Sequence, residues 1–177
     1  PTTPDGTRIR LCANLESTRD LSEADRDLVD GIGLFRTEFA FMERRRFPSE
    51  DEQVALYEKA IEWADGRTVT FRTLDIGGDK PLSYFKTPAA RNPVLGWRGL
   101  RITLGWPDLL FTQLRALLRA SAGGHARILL PMVTSIDALD RAREVVETIK
   151  SALQQAGVPH DEDIEFAPGD VFEHLLD

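Results

Sequence analysis

The chain has 177 residues, 42% apolar and 29% charged, enough for one globular domain with a sizeable core. Its formal net charge of −7 argues against nucleic acid or an anionic membrane as the main partner, because either would select a basic surface. The single cysteine, Cys12, excludes an intramolecular disulfide and favours a reducing, cytoplasmic location, and no apolar run approaches the roughly 20 residues that span a bilayer.

The amino-terminal half predicts three strands and two helices. Strands are expected at residues 9–15, 31–35 and 68–71, where short runs are apolar, β-branched or aromatic. A helix capped by Ser22 is expected over residues 21–30. A second helix begins at the capping box formed by Ser49 and Glu52 and carries an apolar stripe of Val54, Tyr57, Ile61 and Ala64. A long loop is expected to follow, to about residue 96.

The carboxy-terminal half continues the alternation. Pro107 suits the first turn of a helix whose apolar side carries Leu110, Leu114, Leu117 and Leu118. A fourth strand is expected over residues 127–133, although Pro131 is unusual inside a strand. A helix then starts at Ser135, with apolar residues Ile136, Leu139, Val146, Ile149 and Leu153, and a fifth strand begins near residue 163.

Strands that are fully apolar and alternate with helices are typical of a parallel sheet covered by helices, so the fold class is α/β. Both an open doubly wound sheet and a (β/α)8 barrel fit this pattern. One internal echo favours a repeated unit, because Phe35-Arg36-Thr37 recurs as Phe71-Arg72-Thr73 at the end of the next strand.

The two echoed arginines are candidates for an anion site. Ligands of parallel α/β folds bind at the carboxyl ends of the strands, where Arg36 and Arg72 are expected. A pair of guanidinium forks matches the oxygens of a small, doubly charged phosphate or carboxylate ligand. The alternative is a structural network in which Arg36 pairs with Glu38, and Arg72 with Asp75 or Asp79.

Two further segments supply weaker candidates. Residues 75–80 contain a glycine pair beside Lys80, which allows close approach of a ligand but more often forms an ordinary turn. Residues 92–98 supply Arg98, in a loop that a buried Trp97 would equally explain. Arg67 is expected to be an uninvolved surface residue.

The segments 31–42, 71–82 and 92–101 together resemble the phosphoenolpyruvate-binding barrel domain of phosphoenolpyruvate–protein phosphotransferases, the bacterial enzyme I family. Their order and spacing are those of the family, and residues 12–14 and 127–132 continue the likeness from about residue 9 to 165. The Gly-Gly-Asp-Lys stretch is what distinguishes it from phosphoenolpyruvate synthases and pyruvate phosphate dikinases.

The resemblance implies a fold, an activity and a site. It implies a partial (β/α)8 TIM-type barrel of about the first four β/α units over residues 1–177, with a tail from 167 to 177 that departs from the family pattern. In the family the phosphoryl group of phosphoenolpyruvate passes to a protein histidine and then to a histidine-containing phosphocarrier protein. Arg36 and Arg72 match the arginines that hold this phosphoryl group, and Arg98 matches a family arginine near the same site.

Other parts of the family machinery are not expected in this chain. The Mg²⁺-binding carboxylates and the acid cysteine belong to later strands, and the phosphorylated histidine belongs to another domain. Glu165 falls short of the first metal ligand, Cys12 is expected to be a small core residue, and neither His125 nor His160 has the family context. The chain alone is therefore expected to be inactive.

The unpaired edges of half a barrel predict self-association, with a homo-oligomer as the expected state. Two alternatives to the phosphotransferase interpretation stay open. One is a non-catalytic, degenerate homologue that binds anions or a partner. The other is a fragment of a synthase or dikinase.

Overall fold

The computed structural model describes residues 1–77, 80, 82–85 and 98–168. Several features that the sequence singled out lie outside the described residues: Gly78, Asp79, Trp97 with the preceding segment 92–96, and the tail from residue 169 onward. Within the described part, none of the helices is both long enough and apolar enough to cross a bilayer.

The described strands form one sheet, in which every neighbouring pair is parallel. The strands follow one another across the sheet in chain order, without the reversal that defines a doubly wound sheet. The α/β class is therefore confirmed. In chain order the strands are β1 (Ala13–Leu15), β2 (Ile32–Arg36), β3 (Val69–Arg72), β4 (Ala126–Leu130) and β5 (Glu165–Pro168).

Helices connect the strands, together with two 3₁₀ turns at Arg26–Leu28 and Ser121–Gly123. The two helices predicted after residues 107 and 135 are confirmed, and Ser135 caps the second of them by accepting a hydrogen bond from the Ala138 amide. The helices are α1 (Asp20–Glu23), α2 (Glu38–Met42), α3 (Glu50–Ala64), α4 (Leu100–Gly105), α5 (Pro107–Ala120) and α6 (Ile136–Gln155).

The predicted capping box opens α3. The Ser49 amide donates to Glu52 Oε2 over 2.8 Å, and the Glu52 amide donates to Ser49 Oγ over 3.3 Å. These reciprocal bonds satisfy two of the backbone donors that a helix start leaves unpaired. The helix ends at Asp65, whose φ of 52° is left-handed.

The amino-terminal segment differs from the prediction. β1 begins only at Ala13, because the preceding backbone is tied to Asp30 instead of to the sheet: the Leu11 amide donates to the Asp30 carboxylate, and the Leu11 carbonyl accepts from the Asp30 amide. Cys12 is exposed as a result, so the prediction of a core cysteine was wrong.

The helix predicted over residues 21–30 was also wrong. The Asp20 carboxylate accepts from the amides of Glu16 and Ser17, and Asp25 accepts from the Asp27 amide. Such local side-chain bonds compete with a helix and leave only the short α1 and a 3₁₀ turn. Ser22 lies inside α1 and donates to the Arg19 carbonyl instead of capping.

The second half of the chain also differs from the prediction. β4 stops at Leu130 because Pro131 cannot donate to the strand ladder. The Pro131 carbonyl accepts from the Leu100 amide at the start of α4, a short helix that the sequence analysis did not predict. Ile136 is 58% exposed and lies outside the apolar face of α6.

The core lies between the sheet and helices α3, α5 and α6. Phe35 of β2 and Phe71 of β3 are fully buried with ring centroids 5.6 Å apart, and the ring of Tyr57 of α3 packs against Phe71 in a tilted arrangement with centroids 5.1 Å apart. Side chains alternate between the two faces of a strand, so these anchors direct the next residues, Arg36 and Arg72, to the other face of the sheet.

Replacing Ser49 by Ala should lower the free energy of unfolding by about 1 kcal/mol, because the helix loses its capping acceptor. Urea unfolding followed by circular dichroism measures this loss. Ser151→Ala is the matched control, since the Ser151 hydroxyl donates back to the Glu147 carbonyl within α6 and Ala favours the helix interior. Equal stability of the two variants would contradict a role for the cap.

Candidate anion-binding site

Arg36 and Arg72 are the last residues of the adjacent parallel strands β2 and β3, and their Cα atoms are register partners. The Thr37 hydroxyl links the two strand ends by donating to the Arg72 carbonyl over 2.7 Å. Two parallel strands that end side by side place their terminal side chains at the same edge of the sheet, the edge at which α/β folds bind ligands.

Arg36 is the more accessible of the two arginines, with 28% of its side chain exposed. Its Nη2 lies 2.9 Å from Glu16 Oε1, and its Nε is 3.4 Å from Asn14 Oδ1, so residues at the end of β1 hold it. Its guanidinium also lies 5.6 Å from the centre of the Phe39 ring. The expected pairing of Arg36 with Glu38 was wrong.

Glu38 pairs with Arg72 instead. Arg72 donates through Nη2 to Glu38 Oε1, and its Nη1 lies 3.4 Å from Asp75 Oδ2, the partner that the sequence suggested. Glu38 is the first residue of α2 and directly follows Thr37. Its side chain reaches Arg72 at the end of the neighbouring strand β3. The Glu38 side chain is fully buried, and that of Asp75 is 3% exposed.

Two further cations share these carboxylates. Lys80 Nζ lies 2.6 Å from Glu38 Oε1 and 4.0 Å from Asp75 Oδ2. Arg98 contacts Asp75 with both prongs of its guanidinium, Nε to Oδ1 at 3.0 Å and Nη2 to Oδ2 at 3.2 Å. Three cations thus surround two buried carboxylates, and the cluster formed by Glu38, Arg72, Asp75, Lys80 and Arg98 has a positive excess.

Lys80 reaches the cluster through a tight turn, and the sequence analysis did not count it among the site residues. Gly77 and Lys80 exchange backbone hydrogen bonds of 3.2 and 3.1 Å. Gly77 has a φ of 106°, a conformation open chiefly to glycine. The glycine pair that precedes Lys80 was therefore the sequence feature that indicated this turn. The Lys80 ammonium also lies 5.8 Å from the Phe39 ring centre, so Arg36 and Lys80 border the same aromatic side chain.

In the cluster and beside it, some buried polar atoms have no hydrogen-bond partner in the described part of the chain: Glu38 Oε2 and Arg72 Nε of the cluster, and Oγ1 of the nearby Thr73. Buried polar groups are usually paired, because an unsatisfied one costs free energy. Arg72 Nε is thus a buried donor for which the described residues supply no acceptor. Buried carboxylates hold Arg72 and Arg98 in place at this edge of the sheet, an arrangement whose charge is suited to a small anion.

The histidines and the glutamate considered in the sequence lie away from this cluster. The His125 carbonyl accepts from the Val69 amide at the start of β3, and the ring of His160 contacts the Val158 carbonyl, so both histidines lie away from the strand ends that carry the arginines. Glu165 pairs with Arg127 at the start of β5. Among the described residues, no group of three or more His, Cys, Asp or Glu side chains is arranged to hold a metal ion.

Arginines at the ends of neighbouring parallel strands, at the carboxyl edge of the sheet, are typical of α/β proteins that bind phosphate groups. A family model described as the PEP-binding domain of PEP-utilising enzymes matches residues 1–168. The chain belongs to this family of PEP-utilising enzymes.

Curated relatives agree with that assignment. The chain is 44% identical to the phosphoenolpyruvate-protein phosphotransferase of Haemophilus influenzae, over 92% of this chain and 28% of that protein. It is 45% identical to the protein of the same name from Lactococcus lactis, over 92% of the chain and 29% of that protein. It is 40% identical to multiphosphoryl transfer protein 2 of Escherichia coli, over 92% of the chain and 20% of that protein. The chain thus spans less than a third of each of these relatives.

Glu38→Gln should destabilise the chain by about 3 kcal/mol, because Arg72 and Lys80 lose the carboxylate that compensates them. Chemical denaturation measures the loss. Asp140→Asn is the control: it removes the same charge from a pair with Arg143 that is more than half exposed, and it should leave the midpoint almost unchanged. Equal midpoints for both variants would contradict a structural role for the buried carboxylate.

Proposed function

We propose that this chain binds phosphoenolpyruvate as part of a phosphotransferase that passes the phosphoryl group to a protein histidine. The observation that carries the proposal is the register pairing of Arg36 with Arg72 at the carboxyl ends of β2 and β3. The names of the relatives support a phosphotransferase rather than a synthase or dikinase.

The chemistry required is charge neutralisation and orientation. A transferring phosphoryl group carries negative charge on its equatorial oxygens, and guanidinium forks placed before the reaction stabilise that charge without rearranging. In the proposal Arg36 and Arg72 hold the phosphoryl group, while Arg98, fixed by Asp75, contributes positive potential close by. Fixing the group in one orientation also favours in-line transfer to the histidine.

The fold that we propose for the complete domain is a (β/α)8 barrel, of which the described sheet is the first arc of about four β/α units. The strand order β1 to β5 supports this proposal, because successive strands are neighbours in such barrels. A histidine-containing phosphocarrier protein is the proposed acceptor downstream, and the name of the multiphosphoryl transfer relatives is consistent with it. A cytoplasmic location remains a prediction from the single cysteine.

The complete family enzyme is predicted to use Mg²⁺, which would supply positive charge to offset that of the phosphorylated substrate. Glu38 and Asp75 do not fit as its ligands, since each carboxylate is already paired with two or more cations at the site. The isolated chain is therefore predicted to release no pyruvate from phosphoenolpyruvate.

A degenerate homologue that binds anions without catalysis is the second candidate. The observation that favours it is the pairing of Arg36 with Glu16 and of Arg72 with Glu38, which could serve structure alone. The two candidates differ in ligand preference: a phosphoenolpyruvate site should bind phosphoenolpyruvate more tightly than inorganic phosphate or sulfate, whereas a general anion surface should not distinguish them.

Arg36→Ala should weaken phosphoenolpyruvate binding by roughly one to two orders of magnitude, because a charge-assisted contact is lost. Arg36→Lys should recover only part of the affinity, since a point charge cannot reproduce the fork. Arg72→Ala should weaken binding similarly and also destabilise the buried cluster. Titration calorimetry at two salt concentrations measures these effects, and affinity should fall as salt rises.

Arg143→Ala is the control for these substitutions. Arg143 is 58% exposed and contacts Asp140 on the same helix. Arg67, which the sequence suggested as a surface residue, is unsuitable because it donates to the Val29 and Arg26 carbonyls and ties two loops together. Equal affinity of the Arg36, Arg72 and Arg143 variants would mean that Arg36 and Arg72 have a structural role and do not bind the ligand.

Self-association is also proposed. Within the described sheet, β1 and β5 each pair with one neighbour, and Ile9 and Leu11, just before β1, are each 49% exposed. Leu11→Lys should lower the mass seen by light scattering, because a charge beside the edge disfavours pairing. Ile136→Lys, at a 58% exposed site on α6, should not. A monomer at high concentration of the unmodified chain would count against the proposal.

A further inference from the structure

Directly beneath the two strand ends, four buried polar side chains form one continuous chain of hydrogen bonds. They are Gln53 and Tyr57 of α3, Gln113 of α5, and Thr37, and each is at most 2% exposed. Their neighbours are otherwise the aromatic and aliphatic residues of the main core. A core built for stability alone would fill these positions with apolar groups, because buried polar groups must each find a partner.

Gln113 is the branch point of this chain. Its Oε1 accepts from the Leu74 backbone amide over 2.8 Å. Its Nε2 donates to Thr37 Oγ1 over 3.0 Å and to the Tyr57 hydroxyl over 3.1 Å. The side-chain amide has one acceptor and two donors, and it uses all of them. One side chain of α5 therefore contacts the turns that follow both β2 and β3.

The bonds extend outward from Gln113 in both directions. On one side, the Thr37 hydroxyl donates to the Arg72 carbonyl over 2.7 Å. Tyr57 donates to Gln53 Oε1 over 3.1 Å, and Gln53 donates to the Pro48 carbonyl over 3.0 Å. Burial raises the pKa of Tyr57 well above its ordinary value, so the hydroxyl keeps the proton that it donates.

The residues that these bonds fix are the direct neighbours of the site. Thr37 lies between Arg36 and Glu38, and Leu74 precedes Asp75. A shift of the Thr37 turn would move Arg36 and the Glu38 carboxylate together, and a shift of Leu74 would move the Asp75 carboxylate that holds Arg72 and Arg98. Both turns are secured by the same amide group.

We infer that Gln113 is a positioning residue for the anion site: it holds the turns after β2 and β3 at a fixed separation, so that Arg36 and Arg72 meet one ligand. This inference rests on the proposed binding of phosphoenolpyruvate. Gln113 itself does not touch the ligand, since it is buried on the core side of the turns. Its effect is on geometry, to which a site built from two rigid forks is sensitive.

The test compares Gln113→Leu with Leu114→Ala, both in the 177-residue chain. Gln113→Leu keeps the approximate size of the side chain and removes all three hydrogen bonds. Leu114→Ala removes a fully buried apolar side chain from the next position on α5 and destabilises the core without removing a side-chain hydrogen bond to the turns. Two readouts are taken for each: backbone amide exchange without ligand, and phosphoenolpyruvate affinity by calorimetry.

Gln113→Leu should raise amide exchange selectively in residues 37–40 and 73–77 and weaken phosphoenolpyruvate binding about tenfold, by loss of alignment. Leu114→Ala should raise exchange across the core and leave the affinity of the folded chain nearly unchanged. Thr37→Val should reproduce the loss of affinity, while Thr37→Ser, which keeps the hydroxyl, should restore most of it.

Unchanged affinity in Gln113→Leu, or an exchange pattern equal to that of Leu114→Ala, would overturn the inference. If the unmodified chain binds no phosphoenolpyruvate, the proposed function fails separately. The exchange readout then still decides whether Gln113 positions the two turns: selective exchange would support that role, and uniform exchange would refute it.

Discussion

A carboxylate buried away from water needs nearby cations, and Glu38 meets this need through Arg72 and Lys80. The rest of the site follows from that requirement. Asp75, almost as buried, binds Arg72 and Arg98 in the same way, so three cations are fixed in position before any ligand arrives. Among the described residues, the cluster of Glu38, Arg72, Asp75, Lys80 and Arg98 holds three cations against two carboxylates. The carboxylates thus act both as structural partners and as supports for cations that could bind a phosphate.

The fold brings these groups together by simple means. Phe35 and Phe71 pack side by side in the core, and each is followed by an arginine whose side chain belongs to the opposite face of the sheet. The parallel sheet places both strand ends at one edge, and Thr37 joins them directly. Helices α3 and α5 then contribute the buried polar side chains beneath the turns, so packing of the helices on the sheet and alignment of the site depend on the same contacts.

Much of this arrangement could be predicted from the sequence. The apolar strands, the Ser49 capping box, α5, α6 and the placement of Arg36 and Arg72 at strand ends follow from local patterns and from the Phe-Arg-Thr echo. The ion-pair partners could not be assigned, because Glu38 lies two residues from Arg36 in the chain but beneath Arg72 in space. The role of Gln113 could not be predicted either, because one polar residue within an apolar helix face has no local consequence. Its three hydrogen-bond partners come from distant segments of the chain.

The central claim is that Arg36 and Arg72 bind the same phosphoryl group. A double-mutant cycle measures this most directly, using phosphoenolpyruvate affinities of the unmodified chain, Arg36→Ala, Arg72→Ala and the double variant. Shared binding predicts that the two losses are not additive, with a coupling on the order of 0.5 to 3 kcal/mol. Strict additivity, or a double variant that binds as tightly as the unmodified chain, would contradict the claim.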